Sequence, residues 1–197
     1  MLEETTIGLV PQVHLWTRHD YYKMAEAGLF EGKHVELIKG QVIEMSPMGS
    51  LHATAVALCA RILEHAFGQG YFTRWQMPLD AGELFSEPEP DIAVIQGSVR
   101  QFKNAHPQTA VLIVEVAETS LTYDRTEKAS LYAKVNIPDY WILNLHEQQL
   151  EVHRYPVPDS SQLFGFGYAD VTILKEDDFV SPIVKPGLKI SVAELLP

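Results

Sequence analysis

Cysteine is almost absent from this chain. Cys59 is the only one in 197 residues, so no intrachain disulfide can staple the fold. It lies in an apolar helical pattern and reads as a buried, inert thiol. No apolar run approaches the ~18 residues that cross a bilayer. The opening "MLEETTIGLVPQVHL" has no basic stretch followed by a long apolar one, so it does not read as a secretory signal. These absences point to a cytoplasmic protein with no membrane partner. Cations are scarce too. Fifteen Lys and Arg against 26 Asp and Glu leave a net charge of −11. Phosphate contacts need Lys and Arg, so this balance argues against a broad, non-specific nucleic-acid surface. It leaves room for a local basic cleft or for a metal site that consumes carboxylates. Repeats, low-complexity tracts and linkers are missing as well. A hydrophobic content of 46% is enough for a sizeable core, and the length suits a single domain, 1–197.

What is present alternates between helix and strand. "WTRHDYYKMAEAGLF" carries a Thr17…Asp20 capping pattern and stops near Gly28. "HVELIKGQVIEMS" reads as a hairpin around Lys39-Gly40. "SLHATAVALCARILEHAF" puts Leu51, Ala55, Leu58, Ile62 and Ala66 on one helical stripe. "YFTRWQMPL" is extended. "DIAVI" and "VLIVEVA" are continuous apolar runs that suit the centre of a covered sheet. "DRTEKASLYAKV" is a helix with an Asp124…Glu127 capping box. "DYWILNL" and "LEVHRY" make a second hairpin, and "DVTIL" adds a strand. The stretch 156–167 reads as a surface loop, and "SVAELL" closes the chain with a Ser191…Glu194 capping box. The sum is a mixed β-sheet flanked by helices, of the α/β or α+β class.

Against that pattern a few charges stand out. "SEPEPDIAVIQG" runs three acids and two prolines into a buried strand, with Asp91 at its threshold. Glu115 is set inside the otherwise apolar "AVLIVEVAETS". Removing a carboxylate from water costs several kcal/mol, so Glu115 must be neutralised, be paired, bind a cation, or lie at a strand exit that reaches solvent. Asp91 alone could be a turn former. Lys128 precedes Leu131, Tyr132 and Val135 by three, four and seven residues, in line with the apolar face of its helix. It either snorkels to water or partners Glu115. Glu36 alternates with Val35 and Leu37, which by itself describes a solvent-facing strand residue. His52, in the first turn of the long helix, fits a capping or surface role as well as a site role. Glu87 and Glu89 read as a solvated charge run.

The order of these residues resembles the PD-(D/E)XK nuclease superfamily, whose fold is that of restriction endonucleases. The stretches "PEPDIAVI", "LIVEVAETS", "YDRTEKASLYAKVNIPDYWIL" and "LEVHRY" resemble the Uma-type branch, over residues 17–196. The resemblance implies a restriction-endonuclease-like domain in which Pro90-Asp91 opens the motif. Asp91 and Glu115 would then hold a divalent metal, Mg²⁺ or Mn²⁺, with the backbone carbonyl of Val116 completing the site. The usual Glu-x-Lys would need lysine at 117, where Ala117 stands. In this branch the lysine has moved to the following helix, the place of Lys128. Glu36 matches an early acidic position near the metal, and His52 a recurring helical histidine.

The implied reaction is metal-dependent hydrolysis of phosphodiester bonds in nucleic acid, DNA first, by a homodimer that cuts two strands. Carboxylates and waters suit Mg²⁺, and Lys128 would neutralise developing charge. A duplex then needs cations around the cleft over Asp91, expected from among Arg61, Arg74, Lys103, Arg125 and Lys134. Two other readings compete. An inactive member of the fold could serve as a binding or assembly module, as the acidic balance and the missing lysine at 117 would allow. A glycoside hydrolase could use the acid pair, but that leaves Lys128 without a reason to face the core.

Overall fold

The computed structural model describes residues 12–82 and 85–197. The non-secretory reading of the opening stretch falls mostly outside those residues. Local chemistry sets the first elements. Thr17 caps α1 (Arg18–Glu26), and Asp20 accepts the Thr17 N–H in return at 3.0 Å, which closes the expected capping box. Lys39 and Gly40, at φ 51° and 73°, make the tight turn between β1 (Val35–Ile38) and β2 (Gln41–Glu44). Position 40 must be glycine for packing as well, because a Cβ there would stand 2.6 Å from Leu15 Cβ.

A six-stranded sheet carries the core. Its strands lie side by side in sequence order: β3 (Tyr71–Trp75), β4 (Ile92–Gln96), β5 (Leu112–Ala117), β6 (Asp139–Asn144), β7 (Gln149–Pro158) and β8 (Phe166–Lys175). Neighbours are antiparallel except β5 and β6, which run parallel. A parallel pair cannot close through a hairpin, so the chain crosses over through a helix. That crossover is α3 (Leu121–Tyr123), a π-helical turn (Asp124–Lys128) and α4 (Ala129–Lys134). It covers one face of the sheet, where Ala93, Ile113 and Ile142 meet Ala129 and Tyr132. On the other face Ile92, Val94, Val114, Val116 and Leu143 pack with α2 (Ser50–Phe67), and the ribbon β9 (Phe179–Val180) with β10 (Ile190–Ser191) leads into α5 (Val192–Leu195). β5 and β6 are buried at every position, as a doubly covered sheet requires. Strand alternation then places Glu115 and Ala117 on the crossover face. Among the described residues no helix is long and apolar enough to cross a membrane.

Several local expectations are corrected. The sheet-facing stripe of α2 is Ala55, Val56, Cys59, Ala60, Leu63 and Phe67, while Leu51 is exposed. Small side chains face the sheet because they let the helix approach closely; Ile62 and Ala66 pack beside that line. Asp124 and Glu127 form no capping box, since the crossover helix begins three residues earlier and Asp124 lies inside it, accepting from Ser120 Oγ at 2.5 Å. Ser191 makes no side-chain cap on α5. The loop read at 156–167 is shorter than expected, 159–165, because β7 and β8 pair out to Pro158 and Phe166. Glu36 is buried because β1 is covered on both sides. Val35 and Leu37 pack on Tyr21 of α1, and the opposite side meets the crossover helix through Ile38 and Leu131. Glu87 is buried as well, bonded by the Tyr22 hydroxyl.

Candidate active site

Antiparallel pairing brings the start of β4 to the end of β5, and the two motif acids meet there. The Asp91 N–H donates to Glu115 Oε2 at 3.0 Å, and the Val116 N–H donates to Asp91 Oδ2 at 2.8 Å. Each carboxylate thus accepts from the other strand's backbone where the ladder ends. The acidic-proline stretch delivers Asp91 to this place. It is stitched to the hairpin by Glu87 N–H to the Leu37 carbonyl at 2.7 Å, and to β3 by Gln76 N–H to the Pro90 carbonyl at 3.1 Å. Gln76 sits at φ 49°, a costly conformation for a residue with a side chain. That conformation accompanies a side-chain amide 3.3 Å from Asp91 Oδ1.

From the crossover helix, Lys128 Nζ reaches Glu36 Oε2 at 2.6 Å and Glu115 Oε1 at 3.3 Å. Tyr132 donates its hydroxyl to the same Glu115 oxygen at 2.6 Å. His52 Nε2 lies 3.2 Å from Asp91 Oδ1, from the first turn of α2. Glu36, His52, Asp91, Glu115, Asp124 and Lys128 line a cleft of about 270 Å³, with Tyr132 buried behind it. Asp91, Glu115, Lys128, Glu36 and His52 therefore meet through their side chains, while Val116, expected to offer its carbonyl, touches Asp91 through its N–H.

The charge balance is unusual. Glu36, Glu115, Asp124 and Lys128 are 2, 4, 4 and 2% exposed, so three carboxylates share one buried ammonium, with Asp91 beside them. Burial pushes Glu115 up to about 8, with repulsion from Asp91 and Asp124 adding and Lys128 opposing. Burial likewise lifts Asp124 to about 6 against the Ser120 hydrogen bond. Burial would also raise Asp91, but His52, the Val116 N–H and Gln76 outweigh it and hold this carboxyl below its ordinary value. The Asp91 contact raises His52 in turn, against its own burial. Burial disfavours the Lys128 cation, yet Glu115 and Glu36 together hold it well above the ordinary lysine range.

This donor set fits a hard divalent cation: carboxylate oxygens in excess of the available positive charge, at the mouth of an open cleft. Among the described residues no group of three or more His, Cys, Asp or Glu side chains is arranged to hold an ion by itself. Two carboxylates with waters suit Mg²⁺, which keeps much of its hydration, better than Zn²⁺.

The expected basic rim is not there. The cleft is lined by Glu44, Glu89 and Glu118 besides the acids above, with Lys128 its one Lys or Arg among the described residues. Arg61 lines a separate groove with His65 and Lys189. Arg74 is bonded to the Pro78 carbonyl and His106, Arg125 to Glu151, and Lys134 lies over the Phe164 ring. Lys103 is exposed outside the cleft. Glu89, read as solvated, is half-buried against His34 at 3.1 Å.

Sequence reasoning missed four groups of the site. Tyr132 counts as an apolar stripe residue until its hydroxyl is placed. Asp124 was read as a cap. Gln76 gave no signal in its extended stretch. Tyr123, whose hydroxyl lies 3.4 Å from Glu36 Oε1, precedes the helix as the sequence defines it. A buried lysine with one tyrosine five residues before it, Tyr123, and another four after, Tyr132, was the one available hint.

A mixed sheet with helices on both faces, and an acid pair where two antiparallel strands end, defines a restriction-endonuclease-like fold. The chain belongs to the Uma2 family, described as "Putative restriction endonuclease", whose model matches residues 18–193. A 1.96 Å crystal structure from Anabaena variabilis ATCC 29413, described as a putative nuclease belonging to DUF820, is similar with a TM-score of 0.66. The two chains are 16% identical over 91% of this chain and 96% of that one, a likeness of fold. No curated protein matches the chain.

Proposed function

We propose that this protein is a metal-dependent endonuclease that hydrolyses phosphodiester bonds of DNA. The observation that carries the reading is Lys128. A lysine from the crossover helix arrives at Glu115 beside Asp91, while Ala117 occupies the usual lysine position on the same face. Asp91 and Glu115, with the carbonyl of Val116, would hold Mg²⁺ or Mn²⁺. When bound, such an ion supplies Lewis-acid stabilisation of phosphoryl charge and acidifies water.

The chain's own residues do the rest. The Lys128 ammonium, fixed by Glu36 and the Glu115 carboxylate, offers its remaining proton to the attacking water or to a phosphate oxygen. Glu36 therefore positions Lys128. His52 and Gln76 orient the Asp91 carboxylate, as outer groups orient a ligand. Water adds to phosphorus, the bridging P–O bond breaks, and the leaving oxygen takes up a proton. Each chain presents one such constellation, so severing both strands of a duplex calls for two copies, which favours a homodimer.

The acid-pair glycosidase reading gives no role to Lys128, whose ammonium is buried between Glu36 and Glu115. The acidic lining keeps one second reading, an inactive member of the fold that binds another partner. A cleavage assay on plasmid and single-stranded DNA, with Mg²⁺, Mn²⁺ or chelator, separates the two. Cation-dependent nicking that disappears in Asp91→Ala and Glu115→Ala supports the nuclease. Metal-independent or absent cleavage with every cation rejects it.

A further inference from the structure

Asp124, Lys128 and Tyr132 lie four residues apart; Asp124 and Lys128 line the cleft, and the buried Tyr132 bonds Glu115, which lines it too. Around a regular α-helix each step of four residues drifts by about 40°, so three such side chains would fan through about 80°. Here they do not. Lys128 Nζ and Tyr132 Oη both meet Glu115 Oε1, at 3.3 and 2.6 Å, and Asp124 lines the cleft with Lys128. The chain is not a regular α-helix here, because it makes a π-helical turn over Asp124–Lys128. Ala129 N–H returns to the Asp124 carbonyl, five residues back, and a wider turn reduces the drift between residues four apart.

A π turn is rare because its local geometry is less favourable than that of an α-helix. Two contacts outside the cleft hold this one. Tyr140 on β6, fully buried, donates its hydroxyl to the Asp124 carbonyl at 3.0 Å. Arg125 bonds Glu151 on β7 through Nε at 2.8 Å and Nη2 at 2.6 Å. Glu151 is itself buried and braced by the side-chain amides of Asn144 and Gln149, at 3.2 and 3.3 Å. The turn is thus fastened to two adjacent strands.

We infer that Tyr140 and the Arg125–Glu151 pair are positioning residues that pin the π turn to the sheet and so fix the Lys128 ammonium between Glu36 and Glu115. Their consequence for catalysis rests on the nuclease reading; their effect on Lys128 does not.

The test observes the ammonium directly, by NMR of protein carrying isotope-labelled lysine. Held by two acceptors and almost wholly buried, the Lys128 protons are expected to exchange slowly and give a resolved signal, assigned by its loss in Lys128→Arg. Tyr140→Phe removes one hydroxyl and no carbon. Arg125→Gln combined with Glu151→Gln removes both charges, so neither is left buried alone. In either variant, exchange of the Lys128 protons is expected to quicken by about tenfold or more as the turn loosens. In the cleavage assay kcat should fall by about 100-fold, the effect of a small misplacement, with KM nearly unchanged. Arg125→Lys should recover only part of it, lacking the bidentate fork. Native exchange rates in both variants would overturn the inference, whatever happens to the melting temperature. So would the lack of a slow Lys128 signal in the native protein. If the native protein cleaves nothing, the nuclease reading fails while the exchange comparison still decides the positioning.

Discussion

Lys128 Nζ and Glu36 Oε2 are 2.6 Å apart across 92 residues of chain, both almost wholly buried at the floor of the cleft. This pair ties the early hairpin to the crossover helix and leaves Glu115 as the second acceptor. Removing the cation leaves several acids buried with nothing to offset them. Lys128→Ala is therefore expected to lower stability at pH 7 by about 3–5 kcal/mol, and to reduce cleavage by orders of magnitude. Urea unfolding beside single-turnover cleavage checks both. A stable variant that cuts at the native rate would remove Lys128 from the site.

Glu115 and Glu36 should respond differently to loss of charge. With Glu115→Gln, Lys128 keeps Glu36, and the repulsion among the remaining carboxylates falls. The cation-free protein should be as stable as the parent or more so at pH 8, while cleavage is abolished. With Glu36→Gln the shorter contact of Lys128 is lost, and stability should drop by about 1–3 kcal/mol with a smaller effect on cleavage. Calorimetry of both variants without divalent cation tests the contrast. A large destabilisation in Glu115→Gln with cleavage intact would mark Glu115–Lys128 as a structural pair only.

The fold was legible where local patterns are strong and short-ranged. The Lys39-Gly40 turn, the Thr17 cap and the apolar β4 and β5 runs follow from residues within a few positions of one another. The acid pair was legible because burying Glu115 in an apolar strand demands an explanation. What escaped depends on contacts distant in sequence. Glu36 looks exposed by alternation because nothing in β1 announces the helix that covers it 92 residues later. The π turn conceals Asp124 as a helix start. The basic rim failed for a similar reason: Arg125 has its partner in Glu151, 26 residues on, and net composition cannot say which cations are already engaged.

The raised carboxyls set a pH signature. Glu115 is lifted from 4.5 to about 8 and Asp124 from 3.8 to about 6, so in those windows the folded protein binds protons that the unfolded chain has released. Stability therefore falls as pH rises, through about 4–6 for Asp124 and on towards 8 for Glu115. Asp91, held low, acts oppositely and withdraws its contribution only at acid pH. Thermal melts without divalent cation should show decreasing stability from pH 5 to pH 8, and Glu115→Gln should flatten the upper part of that slope. A native curve flat between pH 6 and 8 would mean that Glu115 ionises as freely in the fold as out of it.

The acidic lining also governs how DNA can approach. With Lys128 as the cleft's single Lys or Arg among the described residues, phosphates meet carboxylates at its mouth. Direct Lys and Arg contacts cannot supply the usual electrostatic affinity there. A divalent cation would reverse the local sign, so binding should depend on it more than on monovalent salt. Fluorescence anisotropy with a cleavage-deficient Lys128→Met variant measures this. Retention of DNA is expected with Ca²⁺ or Mg²⁺ at low ionic strength, with little or none in chelator. Affinity should weaken with added salt less steeply than the ~6–10 released counterions of a cation-rich interface would dictate. Tight, cation-independent binding would place the DNA on another surface, such as the groove of Arg61, His65 and Lys189. A charge-reversal variant there, Arg61→Glu, would then abolish retention, whereas binding over Asp91 predicts that it changes little.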